Sequence, residues 1–218
     1  HRVEHRRPVA GLTARRNAMT VPHVAVVLAA GGSTRLGRPK QLLTRDGETL
    51  VHRAARMALA SGAARVRVIV GAQADDVVAA VRDLPVECLV NPRWNEGLAG
   101  SVRVAMDALA AHDHATLLLT CDQPALQVTH LQALLEAARH APSGCAATRF
   151  GDRVGVPAVV APTMLRAARD LQGDRGLRDV LNAAGAGVIA CDAPDFGVDI
   201  DTPEDIAVAV AKGWLDPP

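Results

Sequence analysis

The chain has 218 residues, 49% hydrophobic and 22% charged, with a formal net charge of +1, which is length and apolar content enough for one substantial buried core. Aromatic residues make up only 2% and Tyr is absent, so the core must be built from Ala, Val and Leu, and single-stranded nucleic acid finds no stacking platform. No stretch approaches the roughly 18 consecutive apolar residues that cross a membrane.

In chain order, His1 to Met19 carries Arg2, Arg6, Arg7, Arg15 and Arg16 against Glu4, about +4, leaving the rest of the chain near −3. A basic tail can bind nucleic acid, but this one has neither a periodic apolar face nor a signal-peptide core and reads as a disordered leader or upstream extension. Val24 to Leu28 is an unbroken apolar run, the mark of a central parallel strand buried on both faces. It runs into the glycine-rich, basic loop Gly31 to Lys40. A helix follows over Thr49 to Ser61, stopped by Gly62, then a strand over Val66 to Val70, a helix over Ala74 to Arg82 and a strand over Val86 to Val90. Asn91-Pro92 ends that strand, and Ser101 reads as the N-cap of a helix to Ala111. Leu117 to Leu119 marks a fourth strand, Phe150 to Pro157 a hairpin-like insertion, and Pro162 the start of another helix. Gly173 to Arg178 is a polar loop entering one more. Asp199 and Asp201 alternate around Ile200 in a strand-like run, after which Thr202 and Pro203 open a helix. Alternating strands and helices predict a doubly wound sheet. The right-handed crossover rule puts the loops after Leu28, Val70, Val90 and Thr120 on one edge, where such sheets bind ligands.

The residues at that edge suggest phosphate chemistry. Gly31, Gly32 and Gly37 allow close backbone approach to an oxyanion, and Arg35, Arg38 and Lys40 add cationic donors. The dinucleotide fingerprint fails because the glycines are adjacent. The P-loop fails because Arg38 and Pro39 separate Gly37 from Lys40. Asp122, just beyond a strand, is placed to hold Mg²⁺ against phosphates, although Asp-x-Pro is also an ordinary turn. Trp94 serves equally well as a rim over a ligand or as a plug in a small core. Arg175 and Arg178 are either anion ligands or a solvated helix start. The dispersed Cys88, Cys121, Cys145 and Cys191 form no zinc or disulfide pattern and read as reduced thiols in a cytoplasmic protein. None of the eight His residues falls in these motifs.

L-A-A-G-x-S-x-R-x-G-x-x-K, continued through Arg38-Pro39-Lys40-Gln41-Leu42-Leu43, resembles the signature of single-domain nucleotidyltransferases, most closely the molybdenum cofactor cytidylyltransferases. The segments Asn91-Pro92-Arg93-Trp94, Asp122-Gln123-Pro124 and Asp199-Ile200-Asp201-Thr202-Pro203 are similar to further elements of that family, so the resemblance runs from Val24 to Ala211. It implies an α/β, Rossmann-like, doubly wound sheet of about seven mostly parallel strands with helices on both faces, one domain over 21–218 after a leader over 1–20. Leu28, Ala29, Ala30, Gly31, Gly32, Ser33 and Gly37 would wrap the triphosphate. The resemblance places Arg35 and Lys40 on the phosphates, Mg²⁺ (or Mn²⁺) on Asp122 with Asp199 or Asp201, and Gly100 and Ser101 beside base and ribose. Gly155, Pro157, Arg175 and Arg178 would face the second substrate. The implied reaction joins CTP to molybdopterin and releases pyrophosphate, with transient contact to a molybdoenzyme or its chaperone and no role for nucleic acid or membrane. A relative using GTP or a sugar or polyol phosphate, and a non-catalytic nucleotide-binding accessory protein, stay open as alternatives. L-A-A-G in place of L-A-G-G favours a pyrimidine, with the Ala30 methyl narrowing the space a purine needs.

Overall fold

The structure is a computed structural model that describes residues 22–109, 113–168, 177–183, 186–192 and 199–217. The chain runs β1 (His23–Ala29), a small hairpin of β2 (Thr44–Arg45) and β3 (Glu48–Thr49), α1 (Leu50–Ala60), β4 (Val66–Val70), α2 (Ala74–Ala80), β5 (Glu87–Val90) and α3 (Leu98–Leu109). It continues through β6 (Ala115–Thr120), α4 (Val128–His140), β7 (Ala146–Phe150), β8 (Arg153–Val160), α5 (Pro162–Ala168), α6 (Leu177–Leu181), β9 (Ile189–Asp192) and α7 (Pro203–Ala211). The large sheet has seven strands in the order β5-β4-β1-β6-β8-β7-β9. β1 lies parallel to β4 and β6, and β4 to β5. β8 is antiparallel to both its neighbours, while β9 returns parallel to β7. The sheet is therefore mostly parallel, and Gly151 turns the β7–β8 hairpin with φ +59°.

Burial on both faces explains the unbroken apolar runs. Ala25, Val27 and Ala29 of β1 join Val68 and Leu119 under α1, α2 and α4. Val24, Val26 and Leu28 join Ile69 and Leu118 under α3, α5 and α6. Each fully buried Val or Leu contributes about 1.5–3 kcal/mol, so an aliphatic core replaces the missing aromatics. A third, smaller cluster sets Leu36 of the first loop and Leu50 against Ile200, Ile206, Ala209 and Leu215 around α7. Among the described residues no helix is long and apolar enough to cross a membrane. The four cysteines are free.

The termini of two helices follow the sequence reading. The Thr49 hydroxyl accepts from the His52 N–H at the start of α1, and Thr202 and Asp205 form a capping box with Pro203 in the first turn of α7. Two expectations need correction. α3 begins at Leu98, opened by a Gly100 N–H donation to the Gly97 carbonyl, so Ser101 sits inside the helix and caps nothing. The run around Ile200 is not a strand. Among the described residues, its backbone is tied across the end of β6 by the bond from Ile200 N–H to the Asp122 carbonyl at 2.9 Å, while the Ile200 side chain anchors the third cluster. The leader expected over 1–20, the end of the α3 helix near Ala111 and the loop with Arg175 lie outside the described residues.

Candidate active site

The first loop leaves β1 and is braced from beneath by a side chain that the motif reading left without a role. Gln41 is 1% exposed, and its Nε2 donates to the carbonyls of Ala29 at 3.0 Å and Gly31 at 2.7 Å. Ser33, at φ +51°, accepts from Leu36 N–H and Gly37 N–H through its carbonyl and from Lys40 N–H through Oγ. Gly31, Arg35, Gly37 and Arg38 are left exposed along the rim. Leu28, Ala29 and Ala30 are buried beneath it. The Ala30 methyl belongs to the core and stands 2.9 Å from where a Cβ on Gly71 would lie. At 3% exposed, Ala30 packs its methyl against Gly71 at the end of the strand. Trp94 packs closely enough on the loop that a Cβ on Gly32 would meet its ring at 2.6 Å, and one on Gly71 would meet its Cβ at 2.5 Å. It is at once a partly buried plug and a wall behind Gly32.

Four residues from three distant parts of the sequence converge where β1 and β6 end. Lys40 Nζ donates to Asp122 Oδ2 at 2.6 Å and to Asp201 Oδ1 at 2.9 Å, and Arg35 Nη2 donates to Asp201 Oδ2 at 3.0 Å. Burial works against the Lys40 ammonium, but the two carboxylates outweigh it and its pKa is raised. The Lys40 bond, with Arg35 nearby, holds Asp201 below the ordinary carboxylate range. Asp199 lies beside them and accepts from Gln123 Nε2 at 2.9 Å. Asp199 is open to solvent as a residue, yet the protein crowded around its carboxyl, with Asp122 adding negative charge, pushes it up to about 6. Cys121, fully enclosed and next to Asp122, is pushed up to about 12 and is no nucleophile.

The loop that presents Asp122 is buried without regular structure, so its carbonyls need partners from elsewhere. Asp122 O takes Ile200 N–H and Gln123 O takes Leu126 N–H. Pro124 O takes Arg45 Nη1 at 2.7 Å, and Leu126 O takes Arg53 Nη2 at 3.1 Å. Arg45 and Arg53 carry no motif, and only the fold reveals their positioning role.

On one side of this centre, Asn91 Nδ2 donates to Ser101 Oγ at 3.1 Å, and Gly100 lies against the same amide; both residues are buried. On the other side, Gln123 Nε2 also donates to the Val156 carbonyl at 3.2 Å, next to Pro157, whose peptide bond is cis. A Cβ on Gly155 would lie 3.7 Å from Arg178 Nε. Asn182 clamps α6 to β8 by exchanging bonds with both backbone groups of Val154. Gly155, Pro157 and Arg178 thus form a flank joined to the Asp122 loop through Gln123.

The residues fit a divalent ion of the Mg²⁺ type. Such an ion takes oxygen ligands and needs only one or two carboxylates when substrate phosphates and water complete its shell. Asp122 Oδ1 is buried with no hydrogen-bond partner, an oxygen in want of a cation. Among the described residues no three His, Cys, Asp or Glu side chains form a closed metal cage, in keeping with an ion shared with a substrate.

A doubly wound sheet with a braced glycine loop, a lysine and carboxylates at its ligand edge defines a protein of the nucleotidyltransferase class. The chain belongs to the MobA-like NTP transferase domain family, whose model matches residues 25–188. It is similar to the nicotine blue oxidoreductase of Paenarthrobacter nicotinovorans, at 37% identity over 82% of this chain and 92% of that protein. It is also similar to the purine catabolism protein PucB of Bacillus subtilis, at 30% identity over 84% of this chain and 93% of that one. Among solved structures, Rv0371c of Mycobacterium tuberculosis superposes with a TM-score of 0.76 at 27% identity, covering 88% of this chain and 99% of that one. The same mycobacterial protein has been solved in complex with manganese; that structure gives a TM-score of 0.74 at 24% identity and covers 87% of this chain and 98% of that one.

Proposed function

We propose that this chain transfers a cytidylyl group from CTP to molybdenum-loaded molybdopterin and releases pyrophosphate. The observation that carries the reading is the convergence of Lys40, Arg35, Asp122 and Asp201 beside the glycine loop. The cytidylyl choice rests on the L-A-A-G and D-Q-P strings. A phosphate oxygen of the acceptor attacks the α-phosphorus of CTP in line, a new P–O bond forms, and the bond to the β-phosphate oxygen breaks with the electron pair leaving on pyrophosphate. Little covalent chemistry falls to the protein in such a step, and its task is positioning and charge neutralisation. Loop N–H groups and Arg35 hold the β- and γ-phosphates, and Lys40 meets charge developing at the α-phosphate. Asp122 with Asp201 or Asp199 would hold Mg²⁺ or Mn²⁺, which when bound neutralises phosphate charge and templates the in-line geometry. The flank of Gly155, Pro157 and Arg178 would receive the acceptor, and Arg178 its terminal phosphate; Arg175 belongs to the same proposal. We assign the chain to the cytoplasm on its free thiols, and residues 21–218 to one domain.

The test is pyrophosphate release by the purified protein with Mg²⁺, molybdopterin and each of CTP, GTP, ATP and UTP in turn. Turnover with CTP supports the reading, and turnover with GTP alone overturns the cytidylyl assignment. A second reading rests on the likeness to nicotine blue oxidoreductase: an oxidoreductase activity on a blue dye of the kind that name gives. Consumption of NADH or NADPH with such a dye, in place of pyrophosphate release, would establish it.

A further inference from the structure

Lys40 sits between two of the carboxylates that would hold a divalent ion. Its ammonium lies 2.6 Å from Asp122 and 2.9 Å from Asp201, and its side chain is only 16% exposed. Arg35 takes the remaining oxygen of Asp201. The second oxygen of Asp122 is sealed from solvent with no donor against it. In this arrangement the two cations offset two of the three carboxylates gathered here, the third being Asp199, so most of the charge that would draw a metal ion out of water is already taken up. An ion reaching the same oxygens would lie within a few ångströms of the ammonium and be repelled by it.

We propose that Lys40 is the resident cation of the Asp122–Asp201 pair, and that nucleotide phosphates must draw it away before a divalent ion can bind. The proposal rests on the metal-assisted nucleotidyl-transfer reading and adds an order of events to it. The triphosphate, seated on the glycine loop, offers Lys40 and Arg35 a denser set of anionic oxygens than the carboxylates do. As Lys40 moves onto the α-phosphate, the same displacement uncovers Asp122 for the ion. One side chain thereby couples nucleotide binding to metal binding, and the coupling acts equally in both directions. The free protein is guarded against filling its metal site without substrate.

The experiment is a Mn²⁺ titration of the full chain without nucleotide, reading free Mn²⁺ by electron paramagnetic resonance. Wild-type protein should bind Mn²⁺ weakly, and Lys40→Met should bind one Mn²⁺ at least tenfold more tightly, because the ammonium is removed while both carboxylates stay. Asp122→Asn in the Lys40→Met background should abolish the gain. Lys40→Gln, which keeps a hydrogen-bonding group without the charge, serves as a second variant should Lys40→Met fail to fold by circular dichroism. Mn²⁺ binding by both Lys40 variants no tighter than wild type would overturn the proposal. Pyrophosphate release by the wild type is scored in parallel with each nucleotide. Turnover without the affinity gain sinks the resident-cation role alone, and a gain without turnover upholds that role while sinking the transfer reading.

Discussion

The two flanks of the cleft are held by different means. On the flank of the glycine loop, Gln41 braces that loop from below and Trp94 from behind, Lys40 ties it to Asp122, and the Asp122 loop has a donor on each of four carbonyls. On the β8 flank, among the described residues, Arg178 stands exposed beside Gly155, and Asn182 fastens its short helix to β8. The difference follows from what each side must do. In the proposed transfer the loop must be held so that its charges reach the phosphates in one geometry, whereas the proposed acceptor would be chosen by a few contacts that can be exchanged without disturbing the sheet.

The comparison is sharpened most by removing a fixed charge. Lys40→Ala or Asp122→Asn should lower turnover by roughly 10²–10³, about 2.7–4 kcal/mol of transition-state stabilisation, as measured by pyrophosphate release. A variant with wild-type turnover would remove that residue from the mechanism. Packing behind the loop comes next. Gly71→Ala would place a methyl 2.5 Å from Trp94 Cβ and 2.7 Å from the Ala30 carbonyl, costing about 1–3 kcal/mol in urea denaturation. Gly31→Ala, with nothing within 4 Å of the added carbon, should leave the denaturation midpoint at wild type, so any loss of nucleotide affinity there reports the approach of a ligand. Gln41→Ala should cost about 1–3 kcal/mol by stripping two carbonyls of their donor, with a matching rise in KM for nucleotide. Arg178→Ala should change stability by no more than about 0.5 kcal/mol while raising KM for the acceptor, and an unchanged KM would remove it from that flank.

The smallest effect concerns pH and lies away from both flanks, in a cavity of about 510 Å³ lined by Glu48, His52, Arg56 and Asp83. The Arg56 hydrogen bond, with His52 adding to it, holds the Glu48 carboxyl at about 2, against an ordinary 4.5. Its contribution to stability is complete above pH 4.5 and drains away as pH falls through about 2. Burial opposes protonation of His52, but Glu48 and Asp83 prevail and raise its pKa. The His52 contribution is therefore present below the ordinary 6.5 and lost as pH rises through the folded value. Thermal melts of Glu48→Gln should lose the acid-side slope, while the pH profile of turnover stays that of the wild type.

What was legible in the sequence was whatever a local string can encode. The buried strand before Gly31, the alternation that orders the sheet, and the helix opened by Thr202 and Pro203 all depend on neighbours within a few residues. Lys40, Asp122 and Asp201 were each readable as candidates, but their convergence was not. The start of α3 was misplaced because Ser101 has the chemistry of a cap, and the string does not show that its hydroxyl already serves Asn91. The run around Ile200 looked like a strand because burial of one side chain between two polar ones gives the same alternation with or without a ladder. Arg45 and Arg53 were invisible because they bind carbonyls, which every residue has.

The ion pairs of Asp201 with Lys40 and Arg35 join residues 161 and 166 positions apart, which has a consequence for synthesis. A ribosome delivers the glycine loop early and its acidic partner only after nearly all the intervening sheet has emerged. Until residue 201 is out, Lys40 has at most half of its counter-charge and Leu36 lacks the α7 surface that covers it. A nascent chain therefore carries the glycine loop before it carries an assembled site, and final closure waits on contacts of high sequence separation, the slow class in folding. The cluster of Lys40, Arg35, Asp122 and Asp201 is complete only once the stretch from Asp199 to Leu215 has docked.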